Sequence, residues 1–153
     1  MMTFFTCLIT LQFVIIASHD LIDIRGWVHG SQVQTLIGRR KVWFATLINS
    51  VFPGLAVVFA IYFWNRPRPT FASNYWIIYC TLALMSAIGM WYIPYIRGAS
   101  EKQKDEYRKM YEGTRHILPP RGDNPRPNLF HIGIHVLFVL NFSLAVILRF
   151  HKA

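Results

Sequence analysis

Four long blocks of apolar residues alternate with polar segments along the 153-residue chain. A helix needs about 20 apolar residues to cross the hydrocarbon core of a bilayer. The apolar centres of the blocks contain no Lys, Arg, Asp or Glu, and the blocks cover about residues 3–24, 42–64, 75–96 and 129–150. The pattern therefore predicts an all-α integral membrane protein, in which an antiparallel bundle of four transmembrane helices forms a single domain over residues 1–153.

The first block has a second interpretation as a secretory signal peptide. It lacks a basic start, and its end reads Ala-Ser-His instead of the small-residue cleavage pattern Ala-x-Ala. We therefore interpret it as a transmembrane helix. This helix extends to Ile24 if it tolerates the polar residues His19, Asp20 and Asp23.

Small residues and a proline indicate how the predicted helices pack. Ser86, Ala87 and Gly89 in the third block and Gly133 in the fourth permit close approach of neighbouring helices. Pro53, which a glycine follows, predicts a kink in the second helix.

Composition supports the membrane interpretation. Hydrophobic residues make up 54% of the chain and charged residues only 15%, whereas soluble domains average about 25% charged residues. The formal net charge is +9. Because no nucleic-acid-binding motif accompanies this charge, we expect its partners to be anionic lipid headgroups and not nucleic acid.

The basic residues divide unevenly between the two sides of the predicted bundle. Loops 25–41 and 97–128 together hold 12 of the 16 Lys and Arg residues. The remaining four belong to the opposite side: Arg66, Arg68, Arg149 and Lys152. Since cytoplasmic loops carry the excess of basic residues, both long loops are predicted to be cytoplasmic and both termini extracytoplasmic.

The longer loop predicts a short amphipathic cytoplasmic helix followed by an irregular segment. Ser100 and Gln103 form a capping box at the start of a helix over residues 101–112. Residues 113–128, here called the strap, contain four prolines and two glycines, which exclude a helix. The strap is either a solvated connector or an ordered site for lipid headgroups and other anions, with four candidate ligands: Arg115, His116, Arg121 and Arg126.

Several classes of membrane enzyme are excluded. Cys7 and Cys80 lie in separate blocks and form no C-x-x-C pair, which excludes a four-helix thiol oxidoreductase. No nucleotide-binding glycine motif is present, and the chain lacks the repeated histidine sets of di-iron membrane oxygenases.

Six polar residues are predicted at about one depth in the inner leaflet: His19, Asp23, Asn49, Tyr92, His131 and His135. The first helix would carry a histidine and an aspartate four residues apart, and the fourth helix two histidines at the same spacing, so each pair shares a helix face. Asp20 would point elsewhere on its helix. Because polar groups avoid lipid, these faces are expected to converge, with Asn49 and Tyr92 forming a polar pocket beside them.

Three interpretations of this cluster remain open. Water, headgroups or Asn49 satisfy the histidines, or the histidines line a pocket for a lipid or quinone headgroup. In the third interpretation, a metal ion binds His19, Asp23, His131 and His135, or the histidines ligate haem.

The function that we favour from the sequence is non-catalytic. The basic cytoplasmic face would bind anionic lipid or a membrane protein partner, which includes a second copy of the chain. The alternative is a membrane-embedded metal- or haem-dependent enzyme that uses the His/Asp cluster. No substrate and no catalytic residue follow from the sequence.

Overall fold

The computed structural model describes residues 1–151, so Lys152, assigned above to the outer side, lies outside the described residues. The chain is mostly helical, at 73%, which agrees with the predicted all-α class. Three helical segments are long and apolar enough to cross a membrane: Arg39–Tyr62, Thr70–Arg97 and Leu129–Phe150. A shorter apolar helix, Met2–Ser18, precedes them.

The elements follow one another in a simple order. They are α1 (Met2–Ser18), β1 (Asp23–Ile24), β2 (Val28–His29), α2 (Gly30–Ile37), α3 (Arg39–Tyr62), α4 (Thr70–Ala87), a π-helical turn (Ile88–Tyr92), α5 (Ile93–Arg97), α6 (Glu101–Tyr111) and α7 (Leu129–Phe150). The last apolar block therefore forms a helix with the predicted bounds. The amphipathic helix α6 is confirmed to within one residue, and Ser100 Oγ accepts a hydrogen bond from Gln103 N at 3.3 Å.

The first helix is shorter than predicted. It ends at Ser18, and residues up to Ile24 enter a small antiparallel hairpin in which Asp23 pairs with His29. The Asp23 carboxylate accepts hydrogen bonds of 3.0 Å from both Ser31 N and Ser31 Oγ. An aspartate side chain that binds backbone amides in this way competes with helix continuation, so the predicted extension of the helix to residue 24 is wrong.

The core lies where α1, α3, α4 and α7 meet. Phe5 and Trp76 are fully buried, and their ring centroids are 5.0 Å apart in an edge-on arrangement. Trp76 Nε1 also donates to Ala56 O at 3.1 Å. Because Trp76 anchors α4 to both α1 and α3, this end of the helix assembly is closed.

Towards the opposite end, α3 and α4 separate. Their hydrogen bonds and aromatic contacts lie in the halves next to the connecting turn. Tyr75 Oη donates to Phe52 O at 2.9 Å, and the ring centroids of Phe59 and Tyr75 are 5.1 Å apart. Between residues 39–51 of α3 and the end of α4, the described chain forms no hydrogen bond or aromatic contact. A cleft therefore opens between the two helices.

Two of the predicted small-residue contacts are absent. A Cβ atom added at Gly89 or Gly133 would meet no other atom within 4 Å, so neither glycine permits a close helix crossing. Ser86 and Ala87 instead line the cavity described below. Pro53 lies inside α3, which continues through it.

Beneath the open end lies a peripheral layer, made of the hairpin, α2, α6 and the strap. The strap is ordered by backbone hydrogen bonds at Arg115, whose N–H donates to Gly26 O at 2.9 Å and whose carbonyl accepts from Leu129 N at 2.7 Å. The strap thus ties the hairpin to the start of α7.

Candidate functional site

A cavity of about 570 Å³ lies between the open end of the helices and the peripheral layer. Six of its polar side chains gather next to the peripheral layer: His19, Asp20, Asn49, Tyr111, His131 and His135. Three others line it along α4: Tyr75, Tyr79 and Ser86. Its apolar side chains extend along the helices and include Ile16, Phe52, Ile78, Leu82 and Phe138. The cavity is therefore polar at one end and apolar along the other.

The cavity opens sideways through the cleft. Ile48 and Phe52 on α3, Leu82 on α4 and Met90 in the π-helical turn line it, and all four side chains are also exposed on the outer surface of the molecule. A ligand could therefore reach the cavity between α3 and α4 without passing through the peripheral layer.

His131 is held by the N-cap of α7. Asn128 Oδ1 accepts hydrogen bonds from His131 N at 2.9 Å and from His131 Nδ1 at 2.8 Å, while Asn128 Nδ2 donates to Trp27 O at 3.2 Å. An amide oxygen can only accept, so Nδ1 carries the ring proton. His131 Nε2 is then the unprotonated nitrogen, and it has no hydrogen-bond partner in residues 1–151.

Aromatic rings surround His131. Its ring centroid lies 4.2 Å from that of Trp91, 5.3 Å from Tyr111 and 6.1 Å from His19. Burial raises the pKa of the Tyr111 hydroxyl above its ordinary value, so this group stays protonated and can donate a hydrogen bond. The His131 imidazole is thus held in position next to the Tyr111 hydroxyl, which can donate a hydrogen bond to a ligand.

His135 lies one turn further along α7 and is buried. Its ring centroid is 6.4 Å from that of His131, and its Nδ1 lies 3.2 Å from Tyr92 Oη. Tyr92 does not itself line the cavity, so it acts on the polar end by orienting His135. The structure therefore brings Tyr92 and the two α7 histidines together, as the sequence predicts.

The aspartate at the polar end is Asp20 and not Asp23. His19 Nε2 lies 3.3 Å from Asp20 Oδ1, and His19 Nδ1 lies 3.1 Å from Ile16 O. Asp23 is exposed in the hairpin, where the hydrogen bond from the Ser31 amide lowers the pKa of its carboxyl below the ordinary value. The exchange follows from the end of α1 at Ser18, because His19 and Asp23 are no longer on one helix face.

The predicted metal-ligand set is therefore not assembled. Three of its members, His19, His131 and His135, line the cavity, and Asp23 lies outside it. Among residues 1–151, no three His, Cys, Asp or Glu side chains are arranged to hold a metal ion.

The cavity carries little charge. None of its described lining residues is Lys or Arg, and Asp20, its only carboxylate, is paired with His19. The amide of Asn49 faces the cavity and forms no hydrogen bond within the described chain. These features suit an uncharged polar group, because a phosphate would find no cationic partner there.

The four predicted anion ligands of the strap fall into two pairs. Arg115 and Arg121 are exposed, and the Arg121 guanidinium lies 5.2 Å from the Tyr95 ring centroid. Arg126 Nη1 instead donates to Leu118 O at 3.0 Å. His116 is half-buried, and this burial lowers its pKa below the ordinary value.

Sequence reasoning missed three residues of the polar end. Trp91 and Tyr111 lie 40 and 20 positions before His131, and no local pattern in the sequence relates either residue to that histidine. Asn128 could have been found, because an asparagine directly before an apolar helix is a typical N-cap.

Comparison with models of known protein families, with characterised proteins and with solved structures found no match to this chain. The class of this protein is therefore described from its fold and its cavity alone. It is a mostly helical protein with three helices long and apolar enough to cross a membrane, and with an amphipathic cavity at one end of them.

Proposed function

We propose that this chain is a multi-pass membrane protein that binds a neutral amphiphilic molecule in the cavity. The polar head of the ligand would contact the histidine end, and its apolar part would lie along the cleft between α3 and α4. The observation that carries the proposal is the division of one laterally open cavity into a polar and an apolar end.

The outer surface of the helices supports insertion in a bilayer. On α3, apolar side chains are exposed along one face over the length of the helix, including Phe44, Leu47, Val58 and Ile61. Exposure of such an apolar surface to water is unfavourable, whereas contact with lipid chains is not. The 17 residues of α1 reach about 25 Å at 1.5 Å per residue, and slight thinning of the bilayer accommodates a helix of this length.

We further propose that α1, α3, α4 with α5, and α7 form an antiparallel four-helix transmembrane bundle, with the peripheral layer in the cytoplasm and both termini outside. The uneven distribution of Lys and Arg supports this orientation. Labelling of single cysteines by an impermeant reagent tests it. Lys104→Cys and Arg121→Cys should react only from the cytoplasm, and Arg66→Cys only from outside; reaction of Arg66→Cys from the cytoplasm would reverse the orientation.

The size and access of the cavity support an amphiphile as the ligand. Small-molecule sites usually enclose about 300–1,000 Å³ and combine an apolar lining with a few polar groups, and a cavity of about 570 Å³ falls within that range. The cleft lies at bilayer depth in the proposed orientation. A molecule dissolved in the membrane could therefore enter sideways, with its head already near the headgroup layer.

The exposed arginines support a second, separate role at the membrane surface. Arg115 and Arg121 form no ion pair within the described residues, so both are free to contact anionic headgroups or an acidic partner protein. This role concerns the outer side of the strap and not the cavity.

Binding of 4-nonylphenol to the full chain in lipid nanodiscs tests the cavity. This probe has one neutral polar head and one apolar chain. We expect a saturable rise in the thermal unfolding midpoint as the probe is added. Ala83 lines the cavity, so the larger side chain in Ala83→Phe should occupy part of it and weaken binding at least tenfold. Ala45→Phe is the matched control, since Ala45 is exposed on α3 and does not line the cavity.

Dissolution of the probe in the lipid is the same for both variants, so only the difference between them reports the cavity. Equal responses of Ala83→Phe and Ala45→Phe would overturn the proposal. Metal analysis and an absorption spectrum of the same preparation test the alternative, a metal- or haem-dependent enzyme, because it requires a stoichiometric metal or a haem band.

A further inference from the structure

We propose that the cavity selects head groups that donate a hydrogen bond, such as a phenol or an alcohol, and that His131 Nε2 is the acceptor. This inference rests on the proposed function and names its ligand class. It comes from the geometry at the start of α7, where one asparagine determines which nitrogen of the histidine is free.

The orientation of the Asn128 amide is determined at both ends. Its oxygen faces two donors, His131 N and His131 Nδ1, and its nitrogen faces the carbonyl of Trp27. Rotating the amide by half a turn would set two N–H groups against each other and two oxygens against each other. The amide therefore keeps its oxygen towards His131, and Asn128 acts as a positioning residue.

The free nitrogen is consequently an acceptor. A neutral imidazole has one donor and one acceptor nitrogen, and the donor proton is on Nδ1. His131 lines the cavity, and Nε2 has no hydrogen-bond partner among the described residues. A ligand hydroxyl supplies the missing donor, whereas an ether or a ketone presents only lone pairs and leaves Nε2 unsatisfied.

The other polar groups of the cavity do not reverse this preference. Asp20 can only accept, and its Oδ1 lies 3.3 Å from His19 Nε2, so the remaining capacity of this carboxylate also favours a ligand that donates. Asn49 and Tyr111 can donate to a ligand oxygen, and a hydroxyl accepts such a bond as well as an ether does. A hydroxyl can therefore satisfy both kinds of group at once, while an ether satisfies only the donors.

Two probes that differ by one methyl group test the selection. 4-Nonylphenol donates a hydrogen bond, and its methyl ether, 4-nonylanisole, does not. In nanodiscs with the full chain, we expect the phenol to bind at least tenfold more tightly, which corresponds to about 1.4 kcal/mol. His131→Phe keeps an aromatic ring of similar size without the acceptor and should bring the two affinities within about twofold.

Variants of Asn128 test the positioning role. Asn128→Asp retains an acceptor for His131 Nδ1, so it should keep the preference for the phenol. Asn128→Ser can still cap α7, but its hydroxyl can also donate to His131 Nδ1, so the ring proton can then reside on Nε2. This variant should therefore reduce the preference for the phenol over its methyl ether. The ¹⁵N chemical shifts of the His131 ring provide a readout without ligand, with Nε2 unprotonated in the wild type and in Asn128→Asp.

The possible results separate this inference from the function on which it rests. If both probes bind equally and Ala83→Phe weakens both, the cavity binds amphiphiles but the donor selection is wrong. If neither probe responds to Ala83→Phe, the proposed function fails and the selection fails with it. A proton on His131 Nε2 in the wild-type ¹⁵N spectrum would overturn the inference directly.

Discussion

The Asn141 side-chain amide in α7 donates a 2.7 Å hydrogen bond to Gln12 Oε1 in α1. Both side chains are almost completely buried, with exposed fractions of 0% and 1%. Gln12 Nε2 in turn donates to Tyr79 Oη in α4, and Tyr79 lines the apolar part of the cavity. One chain of polar groups therefore joins three helices where the cavity ends.

Replacement of Gln12 or Asn141 alone should cost more unfolding free energy than half of the loss caused by replacing both. Asn141→Leu leaves Gln12 Oε1 buried without its donor, and Gln12→Leu leaves Asn141 Nδ2 and Tyr79 Oη without their partner. Each loss costs about 1–3 kcal/mol of unfolding free energy. In the double variant neither polar group remains, so its loss should be smaller than the sum of the two. Reversible unfolding in a denaturing detergent measures all three, and strict additivity would show that the two side chains are not coupled.

Gly30→Ala should disturb the hairpin and the turn before it, which contains Asp20. A Cβ atom at Gly30 would lie 2.6 Å from Ile22 O and 2.9 Å from Asp20 O, both backbone atoms. Since the backbone must move to accept the methyl group, we expect a lower unfolding midpoint and weaker probe binding at the polar end.

Gly133→Ala is the matched control for Gly30→Ala. Its added Cβ would meet no atom within 4 Å, and alanine is favoured over glycine in a helix by about 1 kcal/mol. Its unfolding midpoint should be unchanged or higher. A similar loss of stability in both glycine variants would contradict the steric argument.

Arg115 and Arg121 should carry the preference for anionic lipid. Each exposed basic residue near an anionic surface contributes about 1 kcal/mol. The pair Arg115→Gln and Arg121→Gln should therefore lower the preference for phosphatidylglycerol over phosphatidylcholine by up to about 30-fold. Tryptophan quenching by brominated forms of the two lipids measures this preference. In wild type it should decline as salt rises, because ions screen charges beyond about 8 Å at physiological ionic strength.

The control for these arginines removes the same charge from the same loop. Lys109 is 2.6 Å from Asp105 and Lys102 is 3.9 Å from Glu106, so these lysines are already paired. Lys102→Gln with Lys109→Gln should leave more of the lipid preference intact. Equal effects of the two double variants would mean that total charge, and not the free arginines, determines the preference.

The strap should loosen below neutral pH through His116. Burial lowers the pKa of His116 below 6.5, and its Nδ1 lies 3.4 Å from Pro127 O, with Arg126 nearby. A group whose pKa is lower in the folded state contributes stability above the unfolded value of about 6.5, and that contribution declines as the pH falls through the folded value. Amide hydrogen exchange in residues 113–128, measured from pH 7.5 to 5, should therefore show decreasing protection after correction for the intrinsic exchange rate.

His116→Gln should flatten this pH dependence, since glutamine does not titrate. Asp23 also has a lowered pKa, but its carboxyl titrates below 3.8 and so does not contribute in this range. An unchanged pH profile in His116→Gln would assign the effect to another group.

Much of the helical architecture was predictable because its causes are local. The bounds of α7 follow from an uninterrupted apolar block that Asn128 caps, and α6 begins where Ser100 can cap it. The end of α1 was not predictable in the same way. Ile22 and Ile24 continue its apolar character, and the helix stops because Asp23 binds Ser31, which lies eight positions further along the chain.

The candidate site was predictable in part for the same reason. Helical spacing relates His131 to His135, and the charge distribution assigns Asn49 and His19 to the same end of the molecule. Whether Asp20 or Asp23 faces the cavity depends on the path of the backbone from α1 into the hairpin. Residue spacing in the sequence does not predict that path. The enclosure of His131 by Trp91 depends on a contact between two helices.

The sequence by itself determined which segments are apolar, how long they are and which loops hold the basic residues, because these properties depend only on neighbouring residues. The tertiary structure alone decided that α3 and α4 separate into a cleft and that Asp20 faces the cavity. It also decided that Trp27 O orients Asn128, which lies 101 positions away, and thereby leaves His131 Nε2 free. These features arise from contacts between distant parts of the chain, whose geometry depends on the packing of all the elements together.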